Sequence, residues 1–289
     1  MVVKIKIKTM KKILLLLFLF CSVIVSSQVA VMGGGVPEGG STYTDEYQAL
    51  LDEWTTDPTG DTLTWQNDLC YSLDTADLFD RLKQLIISAI TNNDDGEALV
   101  NWANPGTDDA TEVNSPTWTK NQGYTGDGST SYLSGINPNG NVTINSATGG
   151  IYIRNNLQSD NEVYGIDDSD DFYLRIRNVG NQARAKINTG NTQLLASITD
   201  ATGFWMSTRR AVDDVEVYRN GASVDVETDA STGVPNGNLF ILGVNDDPVR
   251  YTSYQFSVFF VMDSITDAEA TSFNTIIETY LDNLGVGVQ

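Results

Sequence analysis

The sequence predicts a mainly β protein, an antiparallel two-sheet sandwich with an N-terminal helical appendage and a C-terminal helix. Three observations predict it. From about Asn104 onward, short β-type runs recur between Gly, Asn, Thr and Ser turn signals, the rhythm of a sandwich and not of βαβ units. Val215–Glu227 reads as a β-hairpin closed at Asn220-Gly221, the dipeptide favoured where both turn residues need φ > 0. Thr266-Asp-Ala-Glu269 is a capping box, followed by Ala270, Phe273, Ile277, Tyr280 and Leu284 at helical spacing and a Gly285 stop.

Taken in order, the chain opens on a secretory signal. Met10-Lys-Lys, the apolar run Ile13–Phe20 and Val25-Ser-Ser27 supply its basic, apolar and small-residue regions. Residues 1–27 are therefore expected to be a leader, with Met10 as an alternative start and cleavage near Ser27-Gln28. The apolar run is shorter than the roughly 20 residues of a spanning helix, so no membrane segment is expected after cleavage and the protein is expected to be secreted or cell-surface. Residues 28–42 form a Gly-rich linker.

Residues 43–103 read as a short helical region, a docking piece through which the protein can join an assembly. Thr44 caps a helix carrying Tyr47, Leu50, Leu51 and Trp54, ended by Asp57-Pro-Thr-Gly60. Leu63, Trp65, Leu69 and Leu73 mark a second helix. Leu78, Phe79, Leu82, Leu85, Ile86 and Ile90 mark a third.

The sandwich is expected over 104–289. Strands are read near Thr117–Thr119, Tyr132–Leu133, Val142–Ile144, Gly150–Arg154, Glu162–Ile166, Phe172–Asn178, Ala183–Asn188, Gln193–Ile198 and Phe204–Arg209. After the hairpin come Asn238–Gly243 and Tyr254–Met262. The last is nearly continuous apolar, as a strand buried on both faces should be. In the hairpin, the turn sets Tyr218 against Ser223, Val217 against Val224, Glu216 against Asp225 and Val215 against Val226, which puts four valines on one face.

Composition excludes several functions. There is no histidine, so Ser-His triads and His-based metal sites are absent. After residue 27 the chain has 38 acidic and 12 basic groups, a net charge of −26. That field repels nucleic acid and anionic membranes, and neither is an expected partner. Aspartate outnumbers glutamate 28 to 10, which suits loops. Cys70 is the only cysteine after the leader, so no internal disulfide forms there.

The runs Phe204–Arg210, Val215–Gly221 and Asn238–Gly243, with Phe256–Met262 and Ser264–Glu269 leading into the last helix, resemble concanavalin A-like, laminin-G-type sandwiches. More narrowly, Ala98–Gly106, Val113–Thr119 and Gly123–Tyr132 are similar to phage, prophage and bacterial surface proteins in which a short helical region precedes such a sandwich. The resemblance covers about residues 45 to 285 and implies a two-sheet jelly roll. That fold hosts lectins, glucanases, adhesion modules and virion parts.

Glucanases of that superfamily carry a Glu-x-Asp-x-x-Glu strand, and no such pattern occurs here. No catalytic residue is expected. Asp167, Asp168, Asp170 and Asp171 begin like a calcium loop, although Phe172 stands where the sharp-turn glycine belongs. Structural calcium is the one cofactor this leaves open.

Strand alternation supplies the binding candidates. With Ile151, Ile153, Leu174, Ile176, Phe204, Met206 and the hairpin valines inward, the outward set is Tyr152, Arg154, Tyr173, Arg175, Arg177, Trp205, Arg209 and Tyr218. Aromatic faces offer platforms for sugar rings, and arginine forks bind carboxylates or hydroxyls. The expected function is non-enzymatic recognition of a glycan or cell-envelope polymer through an outer sheet face. A phage-derived virion or tail-fibre component is the alternative, and a polysaccharide hydrolase or lyase comes last.

Overall fold

The computed structural model describes residues 43–190 and 197–289. The expected leader, the linker and residues 193–196 of one expected strand lie outside these. Residues 43–289 form one compact unit.

The helices are α1 (Asp45–Glu53), α2 (Asp61–Thr75) and α3 (Asp267–Asn283). The strands are β1 (Leu82–Ile87), β2 (Thr111–Val113), β3 (Thr117–Thr119), β4 (Gly123–Thr125), β5 (Tyr132–Ser134), β6 (Ala147–Ile153), β7 (Tyr164–Ile166) and β8 (Asp171–Arg175). There follow β9 (Arg184–Thr189), β10 (Gly203–Ala211), β11 (Asp214–Arg219), β12 (Ala222–Glu227), β13 (Phe240–Ile241), β14 (Gly243–Val244), β15 (Arg250–Tyr251) and β16 (Gln255–Met262).

Two antiparallel sheets dominate, as expected. The eight-stranded sheet runs β12-β11-β10-β6-β16-β4-β3, and β1 also pairs with β16. The six-stranded sheet runs β2-β5-β13-β7-β8-β9. The far edge of β16 is shared: Gln255 and Phe256 pair with β4, while Val258 to Met262 pair with β1. Tyr164 on β7 stacks edge-on against Phe259 at 5.2 Å and meets Ser207 at 3.3 Å, which places the core between the sheets.

The capping signals hold. Thr44 accepts from the Tyr47 amide, and Thr266 and Glu269 complete the reciprocal box. Gly285 (φ 73°) ends α3, with the Val286 amide on the Leu281 carbonyl.

The third expected helix does not exist. Asp77 takes φ 55°, and the Leu78 amide bonds the Leu73 carbonyl, so α2 stops in a Schellman turn without a glycine. Leu82–Ile87 then continues as a buried strand of the eight-stranded sheet. A short apolar run fits either period, and here pairing with β16 decided it. Val142–Ile144 makes only isolated bridges.

The hairpin turn is as expected, with Asn220 at φ 53° and Gly221 at φ 73°. Its register is not. A bulge opposite Val217 and Tyr218 places Val217 against Asp225 and Glu216 against Val226. Val224 is the extra residue and stays partly buried against the core, while Val226 leaves the shared face and is 57 % exposed.

Candidate functional site

The outer face of the eight-stranded sheet is covered by α3. Phe273 packs edge-on against Phe204 at 5.4 Å and Phe260 at 4.6 Å. Tyr152 donates to Glu278 of α3 at 2.7 Å and accepts from the Val288 amide at 2.7 Å. The Tyr218 hydroxyl lies 2.7 Å from Asp267 and 2.8 Å from Glu216, and Arg210 donates to it at 3.0 Å. Arg154 is half-buried and donates to the Val286 carbonyl. Tyr152, Arg154 and Tyr218 therefore do point away from the sheet core, but into a second core under the helix. They offer no platform to a ligand.

Trp205 and Arg209 depart further, because β10 has the opposite parity. Trp205 pairs with Ile151 and Arg209 with Val215, so both share the inter-sheet face. Arg209 is buried, its Nε donating to the Ile187 carbonyl of the other sheet at 2.7 Å. Trp205 donates to the Ala201 carbonyl at 2.9 Å, and the Arg219 guanidinium lies 5.4 Å from its ring centre. Phe204 and Met206 face the helix instead. Both faces of β10 are covered, so each parity buries apolar groups and alternation alone does not choose between them.

Two of the four aspartates of the acidic loop are held in ion pairs. Asp171 contacts Lys186 Nζ at 2.5 Å and accepts from the Asp168 amide at 2.9 Å. Asp167 pairs with Arg250. The four aspartates thus do not assemble as ligands, and among the described residues no three acidic, Cys or His groups gather to hold a metal.

The remaining expected residues do come together, on the outer face of the six-stranded sheet. Tyr173 and Arg175 alternate outward on β8, opposite Lys186 and Arg184 of β9. Arg184 and Lys186 both stand 5.6 Å from the Tyr173 ring centre and leave that ring 1 % exposed. Arg177 lies beyond β8, donating to Asn181 at 2.9 Å and Asn156 at 2.7 Å. Arg175 donates to the Asp160 carbonyl at 2.6 Å. Beneath them Glu162 is fully buried and faces Arg250 at 2.9 Å.

Arg175 and Arg184 are direct cross-strand partners. Like charges so placed are destabilising. Neither they nor Arg177 has a carboxylate within 4 Å among the described residues. The nitrogens Nε of Arg175 and Arg184 are buried without an acceptor. In a chain this acidic, an arginine pair with no directly paired carboxylate is the arrangement that stability alone would not favour, and the buried Glu162 acts on Arg175 only from beyond ion-pair distance. Arg184 and Lys186 were not among the expected site residues. Their signal was present in the Ala183-Arg-Ala-Lys-Ile187 alternation, which puts both cations on the Tyr173 face once β8 and β9 are paired.

No protein-family model matches the sequence, and no curated protein does. Solved structures match in fold. One is of botulinum neurotoxin type C, whose cell entry depends on two ganglioside molecules; it has a TM-score of 0.51 at 13 % identity, over 70 % of this chain and 53 % of its own. A receptor binding domain matches with a TM-score of 0.50 at 12 % identity, over 71 % of this chain and 53 % of its own. The botulinum neurotoxin serotype C1 binding domain has a TM-score of 0.50 at 12 % identity, over 68 % and 52 %. The chain spans about half the length of each. At such identities the likeness is one of fold, and the fold is a β-sandwich built from two antiparallel sheets.

Proposed function

We propose that this protein is an exported, non-enzymatic module that binds an acidic glycan through the outer face of its six-stranded sheet. The observation that carries the reading is the opposed pair Arg175–Arg184 beside Tyr173, without a carboxylate within ion-pair distance. A carboxylate of a sugar polymer supplies the missing charge, and a guanidinium fork holds both of its oxygens. The flanking Arg177 and the side-chain amides of Asn156 and Asn181 offer further polar contacts to hydroxyls.

The net charge of −26 opposes a dense polyanion at long range. Screening confines that repulsion to about 8 Å at physiological salt, so the favoured ligand carries spaced carboxylates on a hydroxyl-rich chain. Affinity electrophoresis tests this. A sparsely carboxylated polysaccharide such as gellan should retard the protein, and neutral dextran should not. Arg175→Ala and Arg184→Ala should each weaken retardation about tenfold, as loss of a charge-assisted contact does. Equal retardation by dextran, or none lost in the double variant, would sink the proposal. New reducing ends after incubation would replace binding by hydrolysis.

A further inference from the structure

Among the described residues, one ion pair is buried on both sides. Lys186 Nζ lies 2.5 Å from Asp171 Oδ2, and the two side chains are 9 % and 2 % exposed. Every other ion pair there has at least one side chain 23 % exposed or more.

The strands set this placement. Asp171 opens β8, and Lys186 stands opposite Tyr173 on β9. The register shifts between Asp171 and Phe172, and the lysine side chain reaches diagonally along β8 to the acid. The Gly190 carbonyl, 3.4 Å from Nζ, and the Tyr173 ring, 5.6 Å away, also face the amine.

Taking two opposite charges out of water costs several kcal/mol per ion, which their attraction repays only with excellent geometry and further hydrogen bonds. Moving one proton from the ammonium to the carboxylate removes both charges and leaves an amine beside a carboxylic acid. In the open pair Asp171 is biased that way. Burial and a hydrogen bond shared with Asp167 raise its carboxyl to about 6, against the pull of Lys186.

The arrangement is also that of an acyl transfer. An amine 2.5 Å from a carboxyl oxygen stands roughly 3–3.5 Å from its carbon, a near-attack separation. The other oxygen, Oδ1, accepts from the Asp168 amide at 2.9 Å. A backbone donor thus stands where negative charge develops in a tetrahedral intermediate. Asp167, hydrogen-bonded to Asp171 and paired with Arg250, is placed to carry a proton.

We propose that Lys186 and Asp171 condense to an intramolecular isopeptide bond that ties β9 to β8. Nζ of the neutral amine attacks Cγ of the neutral acid, and the negative charge of the intermediate falls on Oδ1. Asp167 takes a proton from the nitrogen and returns it to Oδ2. The Cγ–Oδ2 bond then breaks, the Oδ1 carbonyl re-forms, and one water leaves. The amine gives up one hydrogen and the acid its hydroxyl, so no further reactant enters. Arg175 and Arg184 take no part in the bond, which stands apart from the glycan reading.

Mass spectrometry of the purified, denatured full chain tests it. The wild type should be one water lighter than its sequence counted from the N-terminus as purified. A tryptic digest should yield a branched peptide joining residues 155–175 to residues 185–209, uncut after Lys186. Lys186→Arg keeps the positive charge but stays protonated, and should show the full mass. Asp167→Asn keeps the shape but cannot take up the proton, and should leave most chains at full mass. Wild-type chains at the full sequence mass overturn the proposal. So does a water loss that persists in Lys186→Arg, which would mark a succinimide elsewhere. Complete condensation in Asp167→Asn overturns the part given to Asp167. The wild-type mass and its branched peptide decide the matter whether or not a variant folds. Gellan retardation does not enter these measurements, so this inference and the glycan reading fail separately.

Discussion

Glu162 is the residue where burial and charge conflict most directly. It is fully buried, and Arg250 approaches one of its oxygens at 2.9 Å without the alignment of a hydrogen bond. Burial raises its carboxyl above the usual range, against the pull of Arg250 and Arg175. Burial likewise pushes Asp171 up to about 6, with Lys186 opposing. A carboxyl whose folded pKa exceeds its unfolded value, near 4, keeps its proton longer in the native state. Its contribution to stability is therefore full at low pH and falls as pH rises from the unfolded value through the raised folded one, which for Asp171 is about 6. Glu162→Gln mimics the protonated form at every pH and leaves Arg250 its contacts to Asp167 and Asp246. Its melting temperature relative to wild type should rise between pH 4 and pH 7. A difference that is flat or falls over that interval would show that Arg250 outweighs desolvation here.

At the scale of elements, α3 is what turns a two-layer sandwich into three layers on one side. Its ends are written in the chain: Thr266 and Glu269 satisfy the first turn, and Gly285 takes the left-handed conformation after the last. Thr266→Ala should cost about 1 kcal/mol in chemical denaturation. Phe273 sits between Phe204 and Phe260, so Phe273→Ala should cost about 3–5 kcal/mol. A loss below 1 kcal/mol would mean that the helix is a loosely attached flap. Further ties run through Tyr280, which donates to the Ala89 carbonyl at 3.0 Å and accepts from the Gln66 amide at 3.4 Å. The amphipathic stripe of α3 was legible from spacing. The strand β1 was not, because Leu82–Ile87 is apolar at both periods and its partner β16 lies over 170 positions away.

At the scale of the whole molecule, Trp205, Tyr152 and Tyr218 should behave as core residues. Trp205→Ala should destabilise by about 3–5 kcal/mol, and gellan retardation should fall only in step with the unfolded fraction. Loss of retardation in a fully folded Trp205→Ala protein would return this residue to the ligand surface. By itself, the sequence determined the class of fold, the Asn220-Gly221 turn, the caps of α1 and α3, and the acidity that sets which ligands are repelled. Each follows from local propensity, period or charge count. Tertiary structure decided which faces remained open. The α3 layer closed one outer face, a bulge at Val224 shifted the hairpin register, and the pairing of β8 with β9 set Arg184 against Arg175. The same pairing carried Lys186 to Asp171, 15 positions away, which no sequence period connects. Alternation states that neighbouring side chains point to opposite faces of a sheet, but only the packed layers determine what lies over each face.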